Sequence, residues 1–164
     1  MPITPLHWSI LILGLILFNY LYIPALFISC VLMDIEPFYY LFIAQSFPLH
    51  RFFHTFLGAS FLALIIGFVL IKIRKTLDKK LSFFQLNQAK LSNKSIYLSA
   101  FIGAYSHIIL DSFMHRDIKP FWPFTSSNPL LNIISTASIY RVTEIGLLIT
   151  ALSYIFFIIY KSNK

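Results

Sequence analysis

Charge is scarce in this chain. Only 12% of its 164 residues are Asp, Glu, Lys or Arg, against about 25% in a typical soluble domain. So small a body has too little polar material to cover its own surface, which leaves a soluble enzyme, a nucleic-acid-binding domain and a disordered tail as poor fits. Cysteine is nearly absent. Cys30 is the only one, so an intrachain disulfide and a Cys-rich metal site are both excluded, and Cys30 itself, within an apolar run, is expected to pack. The first residues, Met-Pro-Ile-Thr-Pro, lack the basic start and small-residue cleavage site of a signal peptide. The N-terminal segment, with His7 in it, is therefore expected to be retained. No internal repeat or low-complexity linker is visible.

What is abundant is hydrocarbon. Apolar residues make up 58% of the chain, with 18 Phe, and the mean hydropathy is +0.78. The length allows one domain, 1–164, and the composition makes it an integral membrane protein. Apolar stretches cover residues 8–33, 56–71, 96–110 and 142–160, where a spanning helix needs about 20 residues. An all-α membrane bundle of four main segments is the expected fold, with Trp8, Trp122 and the tyrosines in its interfacial belt. The net charge of +7 is concentrated: Lys72, Arg74, Lys75, Lys79, Lys80, Lys90 and Lys94 hold seven of the 13 basic residues. Beside apolar segments this pattern follows the positive-inside rule, so residues 72–94 read as a cytoplasmic loop touching anionic headgroups rather than as a nucleic-acid site. Lys161 and Lys164 then share that side, and residues 49–55 and 110–124 meet on the opposite one.

The first stretch has two readings. A straight helix from His7 to Asp34 would separate them by about 40 Å at 1.5 Å per residue. Asn19-Tyr-Leu-Tyr-Ile-Pro24 interrupts it, and Pro24 lacks a backbone donor. A re-entrant hairpin of two short helices is the favoured alternative, since it returns His7 to the side of Asp34.

The few ionisable residues are patterned. His50 and His54 are four apart, His107 and Asp111 likewise, and His115 is four further on, a spacing that stacks side chains on one helix face. Pro48 suits a first helical turn, so a helix could begin just before His50. Asp34 closes the first stretch, followed by Glu36. Imidazoles and carboxylates without thiolate form a ligand set that suits zinc, and also manganese or iron. Each residue has a plainer rival reading: interfacial anchoring for His7, helix capping for His50 and His54, an Asp–His hydrogen bond for His107 and Asp111. Arg141 and Glu144, three apart, are expected to form an intrahelical ion pair.

Three strings resemble a known family: Thr4-Pro-Leu-His7, His50-Arg-Phe-Phe-His54-Thr-Phe-Leu-Gly58, and Ser106-His-Ile-Ile-Leu-Asp-Ser-Phe-Met-His115 followed by Trp122-Pro-Phe. They look like the bacterial inner-membrane YdjM-type metal-dependent hydrolases, also called LexA-binding, and Met33-Asp34-Ile-Glu36-Pro37 matches that family's acidic motif. The resemblance covers residues 1 to about 125. More distantly it extends to helical zinc-dependent phospholipase C, whose His-x3-Asp pair His107 and Asp111 match. The resemblance implies a metal set of His7, Asp34, His50, His54, His107, Asp111 and His115. No late His-x3-Glu pair is present, so one or two ions are expected rather than three.

The function expected is a membrane-bound metal-dependent hydrolase of a phosphoester in a lipid or lipid-linked substrate, on the non-cytoplasmic side of a bacterial inner membrane. Asp111 is expected as a ligand, Asp34 as ligand or base, and Arg51, Arg116 and Lys119 as holders of the anionic group. The rivals are an ion- or metal-handling transporter and a structural membrane protein without chemistry.

Overall fold

The structure, a computed structural model, describes residues 5–162. Thr4 of the first motif and Lys164 lie outside the described residues. The elements are helical, with no strand among the described residues. A 3-10 turn, Pro5–Ile10, leads into α1, Leu11–Ile16. After a turn comes α2, Ile23–Ser29, then a 3-10 turn, Leu32–Asp34, a short α3, Ile35–Phe38, and a π turn, Tyr39–Ile43. The long helices are α4, Phe56–Leu81, α5, Asn93–Met114, and α6, Thr136–Ser162. Four segments are long and apolar enough to cross a membrane: Ile23–Ile43, Phe56–Phe84, Asn93–Met114 and Thr136–Lys161. Leu6–Ile16 is a shorter apolar helix beside them.

The first stretch is a hairpin, as the Pro24 break suggests. Pro24 sits in the first turn of α2, where its missing donor costs no helical hydrogen bond. The hairpin tip is held by side chains that satisfy its backbone. Gln88 accepts from Ile23 N at 2.8 Å and donates to the carbonyls of Phe18 and Leu21, both at 2.7 Å. The Ser99 hydroxyl accepts from Tyr22 N at 2.7 Å, and the Tyr22 hydroxyl donates to Asp78 at 3.1 Å. Buried backbone groups need such partners, so this network fixes where the chain reverses.

α4 and α5 form the central antiparallel pair. Small residues let their backbones approach, Ala59 and Ala63 on one side, Ala100 and Ala104 on the other, all fully buried. Thr55 caps α4 by accepting from Gly58 N at 2.9 Å, and Ser92 caps α5 by accepting from Ser95 N at 3.2 Å. α6 packs outside, against α1 and the turn before it.

Several expectations are corrected. The span containing Asp34 does not end there; it continues to Ile43, because α3 and the π turn prolong the helical path with apolar side chains. The stretch 72–94 is not simply a loop: α4 runs on through Lys72–Lys80 to Leu81, and only about residues 85–92 are irregular. Exposed lysines are good helix formers, so the helix need not stop where its apolar face does. Arg141 and Glu144 are both exposed, and no ion pair joins them among the described residues. A solvated or interfacial pair of long side chains gains little by closing.

Candidate metal centre

At the end of the bundle away from the 85–92 loop, three segments converge. α5 carries His107 and Asp111 on one face, one turn apart, both buried. The hairpin returns His7 from one limb and Asp34 from the other. The segment before α4 supplies His50 and His54.

No helix starts before His50, contrary to the expectation from Pro48. Leu49–Arg51 are irregular, His54 ends a 3-10 turn over Phe52–His54, and α4 begins only at Phe56. Two carboxylates take the backbone donors that a helix would otherwise use. Asp117 accepts from Leu49 N and His50 N, both at 3.1 Å. Glu36 accepts from Arg51 N at 2.8 Å and Phe53 N at 3.0 Å. Gly58 lets the turn sit on the start of α4, since a Cβ there would collide with the Phe52 carbonyl. His115 likewise leaves its expected ridge. It follows the end of α5 in extended conformation, while Asn128 ties the helix end by donating to the carbonyls of Ser112 and His115. The imidazoles still meet: ring centroids lie 4.6 Å apart for both His50–His54 and His50–His115.

The hydrogen bonds decide which nitrogen of each ring is left over. His107 Nδ1 lies 2.8 Å from the Cys30 carbonyl, which can only accept, so Nδ1 carries the proton. His54 Nδ1 donates to Glu36 at 2.8 Å, and His50 Nδ1 to Asp117 at 2.9 Å. In each ring Nε2 is then turned away from these partners. His54 Nε2 and His107 Nε2 face each other at 3.3 Å. Around them stand Asp111, 3.3 Å from His107 Nε2, and Asp34, 3.6 Å from it. A proton on His107 Nε2 satisfies one such contact; a divalent cation satisfies all four residues at once. The ligand atoms of Asp34, His54, His107 and Asp111 lie within 4.8 Å of one another, as do those of His50, Asp111 and His115. Asp111 belongs to both groups. The donor chemistry fits a cation: Asp34 Oδ2 is buried without a partner, and each of the three histidines has the outward Nδ1–H bond that orients a metal-binding imidazole.

Burial holds the His54 imidazole down at about 4 against the opposing Glu36 bond, so it stands neutral, the form that ligates. Burial also lowers His115. Asp117 is raised by burial, but the His50 hydrogen bond outweighs this and keeps it below the ordinary carboxylate range.

His7 stacks on His107 at 4.1 Å, and its Nε2 lies 3.3 Å from Asp111. It contributes to neither group of converging ligand atoms, and its Nδ1 is buried without a partner. Beside His50 opens a cleft of about 240 Å³ lined by Arg51, Lys119, Asp117, Phe52 and Trp122. Arg51 is held there over the Tyr40 ring at 3.6 Å. Arg116 is exposed and does not line the cleft. Glu36 and Asp117 are the residues that sequence reasoning left without a role. Glu36 stood in the acidic motif, but nothing in its spacing points 18 residues ahead to His54. Asp117 is 67 residues from His50.

A sequence model of the YdjM inner membrane protein family matches residues 6–164, nearly the whole chain. The chain belongs to the YdjM family. With its four segments able to span a membrane, this YdjM-family chain is a multi-pass inner membrane protein, and its buried Asp/His cluster could hold a metal ion. Searches of curated proteins and of solved structures found no match.

Proposed function

We propose that this YdjM-family protein is a membrane-embedded, metal-dependent hydrolase acting on a phosphoester in a lipid or lipid-linked substrate. The observation that carries it is the facing pair of His54 Nε2 and His107 Nε2 at 3.3 Å with Asp34 and Asp111 beside them. Two imidazole nitrogens held nose to nose beside two carboxylates inside a membrane protein suit a cation between them, and a buried charge there is costly unless it is paired.

Asp34, His54, His107 and Asp111 would hold one ion, and His50, Asp111 and His115 would hold a second. Nitrogen and oxygen donors without thiolate favour zinc, with manganese or iron as alternatives. When bound, such an ion would bring the pKa of a water to about 7 and would itself polarise a phosphoryl oxygen. The chain's own residues do the rest. Glu36, Asp117 and the Cys30 carbonyl hold the rings in register. His7 holds Asp111 through its Nε2, and Asp34 is positioned to take a proton. Arg51 and Lys119 present positive charge to an anionic group in the cleft beside His50, with Arg116 nearby in the chain.

The lysines cluster at the far end of α4, which supports a site on the non-cytoplasmic face by the positive-inside rule. Between the two polar ends α4 and α5 pack through Ala63, Ile66, Leu70, Ala100 and Ala104. Among the described residues that packing holds no carboxylate or imidazole, which weighs against a transporter.

Elemental analysis of the purified protein tests the proposal. Wild type is expected to hold one or two ions per chain, and His107→Ala and Asp111→Ala to lose them, along with headgroup release from phospholipid in mixed micelles. Metal in neither wild type nor variants contradicts it.

A further inference from the structure

We propose that the groove between the N-terminal hairpin and α6 is a binding site for an anionic phospholipid, with an acyl chain in the groove and the phosphate against Lys161 and Lys80. The groove holds about 640 Å³, and its walls include Leu11, Phe27, Leu77, Leu86, Leu147 and Ala151. The wall hydroxyls are satisfied within the protein: Thr150 donates to the Gly146 carbonyl at 2.8 Å, and Tyr154 to the Phe84 carbonyl at 3.0 Å. Of the polar wall atoms, the Trp8 indole N–H, at the end nearer His7, is buried without an acceptor. Water stays in a cavity only where it finds about two to four polar partners, so this groove does not suit it. Hydrocarbon does. The volume is within the range of about 300–1,000 Å³ for ligand pockets, and only apolar atoms in contact with such walls recover their dispersion energy. Most of the walls belong to segments able to cross a membrane, where the available hydrocarbon is the lipid itself.

Charge decides which lipid. The groove runs towards the end of α4, where Leu77 and Leu81 line it on the turns that carry the exposed Lys79 and Lys80. Lys161 Nζ donates to the Gln85 carbonyl at 2.8 Å, between Phe84 and Leu86, both in the wall. The ammonium also stands over the Phe18 and Phe157 rings at 4.8 and 5.0 Å; of its three donors one is used in that hydrogen bond, and a phosphate would take the others. The phosphate end of this site lies at the end of the bundle opposite the Asp/His centre, and the site does not depend on the function proposed above.

The test counts bound lipid. The full chain is washed free of lipid in detergent, then offered dioleoylphosphatidylglycerol or dioleoylphosphatidylcholine, and adducts are counted by native mass spectrometry. One phosphatidylglycerol per chain is expected, bound roughly tenfold more tightly than phosphatidylcholine. Ala151→Phe fills the groove and is expected to weaken both lipids roughly tenfold; Leu147→Phe serves if that variant misfolds. Lys161→Gln is expected to lower phosphatidylglycerol binding towards that of phosphatidylcholine and to leave the latter unchanged. The proposal is overturned by no lipid on wild type, by equal binding of the two lipids, by undiminished binding in the filled variants, by unchanged selectivity in Lys161→Gln, or by a dimer that excludes lipid.

Discussion

Glu36→Gln separates the metal centre's support from its ligands. The Glu36 carboxylate accepts three donors: Arg51 N and His54 Nδ1 on Oε2, both at 2.8 Å, and Phe53 N on Oε1 at 3.0 Å. A glutamine keeps one oxygen. Its better orientation leaves that oxygen for Arg51 and His54 and sets the amide nitrogen against Phe53 N, donor to donor. One charge-assisted bond, about 1.5–3 kcal/mol, is then lost from stability. The bond to His54 survives but with a neutral acceptor, so the ring is less basic and less firmly aimed. Loss of such a partner typically weakens metal binding about 10–100-fold, equivalent to about 1.4–2.7 kcal/mol. The assay is zinc titration of purified protein against a competing chelator, in wild type, Glu36→Gln, His54→Ala and the double variant. Because Glu36 acts through His54, its effect on affinity should vanish once His54 is alanine, a coupling that a double-mutant cycle measures directly. Equal weakening by Glu36→Gln in both backgrounds refutes the reasoning, as does unaltered affinity in a variant that is merely less stable.

Other perturbations have definite signs. Gly58→Ala drives a methyl into the Phe52 carbonyl and should cost about 1–3 kcal/mol, seen as a lower Tm together with weaker zinc binding, since the displaced turn carries His54. Gln88→Ala leaves the Ile23 N–H and the carbonyls of Phe18 and Leu21 without their partner. Denaturation should report a loss of about 1–3 kcal/mol for each group left buried and unpaired, while the folded fraction still binds metal. Asp117 is held below the ordinary carboxylate range, so its contribution to stability is complete above about pH 4 and is lost as pH falls through its folded value. Asp117→Asn should flatten that acid limb in a Tm-against-pH series. Chelation should lower the Tm of wild type, because an ion at a hundred times its Kd adds about 2.7 kcal/mol, and should leave Asp111→Ala unmoved.

Much of the architecture is legible in one dimension because hydrocarbon and charge are so unevenly distributed. The Pro24 break and the isolation of His7 from Asp34 on a straight helix together point to the hairpin, and the structure brings His7 within 3.3 Å of Asp111. Four-residue spacing on α5 is read correctly, since His107 and Asp111 lie on a regular helix. The same spacing misleads at His50 and His54. There the backbone donors go to Asp117 and Glu36, partners distant in the chain, and local propensity carries no trace of them. The helical continuation through Lys72–Lys80 was hidden for a different reason: hydropathy marks where a membrane segment can end, not where a helix must.

X-ray absorption at the edge of the bound metal tests the His/Asp centre most directly. The expected spectrum has a first shell of nitrogen and oxygen at about 2.0–2.2 Å with the outer-shell scattering of imidazole, lost in His107→Ala. An edge no stronger than background, or a sulfur shell at about 2.3 Å, contradicts it.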